Sequence, residues 1–64
     1  MFEARRIFIR PEPFGCGFDV TVEPAPEWIN MARERPTHRE AQRYALGLRA
    51  VHGWRIVDET GEAA

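Results

Sequence analysis

The chain has no lysine. All nine basic side chains among its 64 residues are arginine. It has a single cysteine, Cys16, so no internal disulfide can form. Its two histidines, His38 and His52, stand fourteen positions apart and match none of the ligand spacings of a zinc site. Together these scarcities favour a reducing cytoplasm. Long hydrophobic runs are also missing. Nothing approaches the roughly 20 apolar residues of a membrane span, and the N-terminus lacks the unbroken apolar segment of a signal peptide. An arginine-only cation set beside plentiful Ala, Gly and Pro reads first as the codon usage of a GC-rich genome. Selection for guanidinium forks on phosphate is the second reading.

A chain of 64 residues supports one domain, residues 1–64, with one small core. At this size only about 60% of the unfolded surface is buried on folding, and a homodimer would add to it. The formal charge of −1 excludes neither an acidic nor a basic partner. Its distribution says more: residues 28–55 hold six Arg against two Glu, while residues 56–64 hold three acids and no Arg. An anionic partner would therefore be sought on the segment 28–55.

That segment contains the clearest element, a helix expected over residues 38–52. Thr37 and Glu40 have the spacing of a capping box, Pro36 keeps Arg35 out of helical geometry, and Gly53 can close the last turn in a left-handed conformation. At 100° per residue Ala41, Tyr44, Ala45, Leu48 and Val51 fall on one face, the pattern of a half-buried helix. Arg39, Gln42, Arg43, Leu46 and Ala50 fall opposite. Leu46 is thus an apolar residue expected to face solvent among Arg39, Arg43 and Arg49.

Strands are expected at about 4–10, 18–23 and 54–58. The second is the cleanest, with Phe18, Val20 and Val22 alternating against Asp19, Thr21 and Glu23. Residues 11–17, rich in Pro and Gly, form the connection, and residues 59–64 form a flexible polar tail. Residues 27–35 are the least legible, with room for one helical turn or an irregular path. Trp28, Ile29 and Met31 are too apolar there for a plain linker, so Trp28 or Ile29 is expected to fold under the core, or else the stretch serves as an apolar recognition loop. The fold class that follows is α+β, a ββαβ unit. Its three-stranded antiparallel sheet has order 2-1-3, with the helix on one face. The other face, carrying Arg6, Phe8, Arg10, Thr21, Arg55 and Val57, is left open.

Glu40-Ala41, Tyr44-Ala45, Leu48, Gly53-Trp54 and Val57-Asp58-Glu59-Thr60-Gly61 resemble the helix-plus-strand end of small strand-strand-helix-strand proteins from bacteria and their phages. The resemblance spans residues 37–61, about 40% of the chain, and rests on packing and capping positions. It implies the fold and brings no active-site residue with it.

The residues give little ground for catalysis. Cys16 lies between two glycines with no His, Lys or Arg near it in sequence to lower its pKa, so it reads as an incidental loop thiol or one that dimerises on air oxidation. His38 stands at the start of the helix. His52 at its end suits the negative pole of the helix dipole when protonated. Asp58, Glu59 and Glu62 cluster on a strand end and a tail, without the further oxygen ligands of a calcium loop. Phosphate-cradling glycine loops and Ser/His/Asp sets are missing, and so small a domain leaves little room for a shielded pocket of several hundred Å³. The expectation is a non-enzyme without cofactor or metal.

Two binding functions remain. One is a protein-binding module that docks through Arg39, Arg43, Leu46 and Arg49 on the helix, or through Trp28 and Met31 on the loop. Compact phage inhibitors or regulators of bacterial complexes would belong here. The other is a nucleic-acid-binding accessory protein. It would hold phosphates on Arg33, Arg35, Arg39, Arg43 and Arg49, or stack single-stranded bases on Phe8 with Arg6, Arg10 and Arg55 on the open sheet face.

Overall fold

A computed structural model of the chain describes residues 5–15 and 17–61. The alternating stretches form β1 (Arg6–Pro11) and β2 (Phe18–Glu23), which pair antiparallel from Arg6 opposite Glu23 to Pro11 opposite Phe18. The period of two sends Ile7, Ile9, Val20 and Val22 to one face, where all four are buried. The connection between them is held by the Glu12 N–H donating to the Gly17 carbonyl at 2.9 Å and the Gly15 N–H to the Glu12 carbonyl at 3.0 Å.

Helix α1 (His38–His52) has the expected ends. The Glu40 N–H donates to Thr37 Oγ1 at 3.1 Å, and Gly53, at φ 75°, donates its N–H to the Arg49 carbonyl at 2.7 Å. Ala41 and Ala45 are buried against the sheet, and their small side chains allow that close approach. Tyr44 and Leu48 pack beside them. Val51, expected on this face, is instead 77% exposed. It lies about 80° round the helix from Ala41 and about 120° from Ala45, beyond the edge of the buried stripe.

β3 (Arg33–Arg35) and β4 (Arg55–Asp58) complete a four-stranded sheet of order β3-β2-β1-β4. The three-stranded sheet expected from the sequence is corrected twice here. The illegible stretch supplies an edge strand, pairing Phe18 with Arg35, Asp19 with Glu34 and Val20 with Arg33 in antiparallel sense. The last strand pairs with β1 in parallel, Arg6 beside Arg55 through Ile9 beside Asp58, so the sheet is mixed. The two corrections share one cause. β3 reverses the chain once more before the helix begins, so α1 crosses from β3 over β2 and β1 and delivers β4 in the direction of β1.

Trp54 precedes β4, is buried, and lies flat on His52 with ring centroids 4.1 Å apart. Of the tail expected over residues 59–64, residues 62–64 lie outside the described residues, while Glu59 and Thr60 make hydrogen bonds. The Glu59 N–H donates to the Ile9 carbonyl at 2.9 Å, and Thr60 donates its N–H and hydroxyl to Asp58 Oδ1 at 2.9 and 2.6 Å.

Candidate protein-binding surfaces

The segment 24–32 leaves β2 and returns as β3, and what it buries differs from the sequence expectation. Met31, expected as an outward anchor, is 8% exposed and belongs to the core, and Pro26 is buried with it. Trp28 and Ile29, one of which was expected to fold under unless the stretch served as an apolar recognition loop, are 63% and 49% exposed. The reversal has a local reason. The Asn30 side chain accepts the Ala32 N–H at 3.0 Å, and Tyr44 donates its hydroxyl to the Met31 carbonyl at 2.8 Å, which together fix Met31 inward beside the helix. Arg33 Nη1 donates to the carbonyls of Asn30 and Ala32 at 3.1 and 2.7 Å. On the other flank Arg5 Nε donates to the Pro24 carbonyl at 3.0 Å, with its guanidinium 4.9 Å from the centre of the Trp28 ring.

Between this loop and β2 lies a groove of about 630 Å³, lined by Val22, Pro26, Trp28, Ile29 and Met31 among others. β3 pairs with β2 only over residues 18–20, so where the loop swings away from residues 21–23 no strand fills the space. The lining contains the carboxylates Glu23 and Glu27 and, among the described residues, no histidine. Ile29 and Pro26 were not singled out from the sequence as site residues. The Pro-rich start of an apolar stretch was the available signal.

The outer face of α1 presents a second surface. Leu46 is 47% exposed, as its helical phase required. Arg39, Arg43 and Arg49 are exposed around it, and among the described residues none of the three guanidinium groups has a hydrogen bond or ion pair. Gly47, Ala50 and Val51 extend the exposed surface toward the end of the helix.

The open sheet face is not a free cationic platform. Arg10 Nε donates to Glu59 and Arg10 Nη1 to Glu23, each at 2.6 Å, and the guanidinium lies 4.3 Å from the centre of the Phe8 ring. Hydrogen bonds donated to both carboxylates hold the Arg10 proton more tightly than usual, and the contact with Arg10 lowers the Glu23 pKa below its ordinary value. Phe8 is half-buried, with Arg10 over its ring. Arg6 and Arg55 are exposed on this face, where the register also sets Asp19 and Glu23.

A third cluster joins the helix start to the end of the sheet. His38 Nε2 lies 2.6 Å from Asp58 Oδ2, and the edge of Phe18 meets the imidazole with centroids 5.6 Å apart. Desolvation pushes the Asp58 carboxyl up, but the hydroxyl and N–H of Thr60 and the His38 ring outweigh it, and the net shift is downward. Twenty residues separate His38 from Asp58, and no local pattern announced the pair. Cys16, the one thiol considered for nucleophilic chemistry, lies outside the described residues.

With this geometry in hand, comparison with known proteins adds no constraint: no family model, no curated protein and no solved structure matches the chain. Among the described residues no helix is long and apolar enough to cross a membrane.

Proposed function

We propose that this is a small non-catalytic protein-binding module, acting through the Trp28 groove and the outer face of α1. The observation that carries the reading is the pairing of an exposed Trp28 and Ile29 with a ready-made apolar groove. Single exposed apolar residues are ordinary, but adjacent large ones bordering a concavity are the usual anatomy of an interface, with an aromatic anchor and arginine at its margin. Arg5 stacked on Trp28 limits the indole's freedom and so lowers the entropy lost on docking. Regulation or inhibition of a bacterial complex, with a phage origin, is the role suggested by the small size of the chain.

The nucleic-acid alternative draws its support from Arg39, Arg43 and Arg49. The sheet face lends it less, because Arg10 is held between two carboxylates over the Phe8 ring. A tagged capture with and without nuclease separates the readings. A protein that is retained after nuclease and lost on Trp28→Ala, with thermal stability unchanged, supports the module. Capture that depends on intact nucleic acid overturns it, and protein capture that ignores Trp28→Ala removes the groove from it.

A further inference from the structure

We infer that the outer face of α1 binds an acidic, apolar-centred helical segment of another protein, a partner chemistry that rests on the protein-binding reading above. The argument is charge complementarity around an apolar centre. Three guanidinium groups, on Arg39, Arg43 and Arg49, stand exposed without a counter-charge among the described residues, while the only acid in the first turn is Glu40. A partner that supplies carboxylates gains pairing that the chain itself does not provide. Between and beyond the arginines the surface is apolar: Leu46 is half exposed, Val51 more so, with Gly47 and Ala50 between them. Phosphates gain nothing from such a centre, whereas a partner helix with an apolar stripe buries it.

A second copy of this chain fits poorly. Two such faces in contact would oppose six arginines to two glutamates, and like charges across an interface are unfavourable. Gly47 adds a steric argument. A side chain there would meet nothing within 4 Å, so packing inside the fold does not require glycine. In an exposed helix interior it costs about 1 kcal/mol relative to alanine. Its lack of a side chain beside Leu46 leaves a notch through which another helix backbone can approach closely.

The test is a titration of the isotope-labelled full chain, read residue by residue by NMR, with three probes. One is an 18-residue peptide with a helical leucine stripe flanked by glutamates. The second is the same peptide with lysines in place of the glutamates, and the third is a single-stranded 12-mer DNA. The expected result is saturable shifts at Arg43, Leu46, Gly47 and Ala50 with the glutamate peptide alone, weakening as salt rises. The double variant Arg39→Glu/Arg43→Glu should lose the glutamate peptide by at least tenfold and gain the lysine peptide. Gly47→Leu should raise the melting temperature, since leucine favours helix over glycine, while reducing peptide affinity at least fivefold. If the glutamate peptide shifts Trp28 and Ile29 and leaves α1 untouched, the helix-face inference falls and the protein-binding reading stands. If the DNA alone binds, both fall. Concentration-dependent dimerisation abolished by Leu46→Asp would also overturn the inference, because the face would then serve self-association.

Discussion

Tyr44 donates its hydroxyl to the Met31 carbonyl across 2.8 Å, joining the middle of α1 to the segment that walls the groove. The two residues are thirteen positions apart, and Arg35 of β3 sits 5.2 Å from the centre of the same tyrosine ring. Tyr44 therefore acts at once as a helix residue packed on the core and as the post against which the loop rests. The shape of the groove depends on that post, since residues 24–32 form no strand of their own.

Tyr44→Phe keeps the ring and removes the hydrogen bond. Because the bond is only part-buried, the expected cost is about 1 kcal/mol, mostly from leaving the Met31 carbonyl without its donor. The loss should be local. Hydrogen exchange at residues 28–32 should accelerate and the emission of the exposed Trp28 should change, while amides in the middle of α1 keep their protection relative to the global stability. Uniform acceleration across the molecule would show that the bond supports the whole fold and is not specific to the groove.

Acid should destabilise the protein through two carboxylates. Glu23 is lowered by Arg10. Asp58 is raised by desolvation and lowered further by Thr60 and His38, for a net downward shift. A carboxyl whose folded pKa lies below its unfolded value contributes stability that is fully present above the unfolded value, and loses it as pH falls through the folded one. Urea midpoints should therefore hold down to the ordinary values, 4.5 for Glu23 and 3.8 for Asp58, and fall below them. Asp58→Asn should flatten the lower part of that fall. Glu23 is half exposed, so screening keeps its share of the effect modest and added salt should shrink the Glu23–Arg10 part. A midpoint that rises on acidification would contradict the assignment.

What the sequence revealed and what it withheld divide along a physical line. The helix was legible because its cap, its phase and its stop are local signals, and Thr37, Ala41, Ala45 and Gly53 each do what their position implied. Alternation alone carried β2, from Phe18 to Glu23. Arg33-Glu34-Arg35 gave no such signal: three charged residues form a strand only because β2 offers a free edge, and charges are common where a sheet meets solvent. Missing that strand also reversed the inferred sense of β4 beside β1. For the groove, composition showed that residues 27–35 were apolar. Which of Trp28, Ile29 and Met31 turned inward was decided by Tyr44 and Asn30, contacts beyond the reach of periodicity.

Two glycines test the backbone path that sets β3 beside β2. Gly17 has φ 156°, and a Cβ built on it would lie 2.5 Å from the Arg35 carbonyl oxygen and 3.3 Å from the Pro36 Cα, both of them backbone atoms. Gly53 has φ 75°, but its Cβ would meet nothing within 4 Å. Gly53→Ala should therefore cost only the conformational penalty, about 1 kcal/mol, or about 4–8 °C in melting temperature for a domain of this size. Gly17→Ala adds a clash that no side-chain rotation relieves, because the chain entering α1 must move. About 2–3 kcal/mol is expected, with the damage concentrated in the Phe18–Arg35 pairing and seen as early exchange of β3 amides. Equal losses from the two substitutions would mean that β3 yields without cost. In that case it would be a loosely attached edge, and the groove wall that continues from it would have no fixed anchor on the sheet.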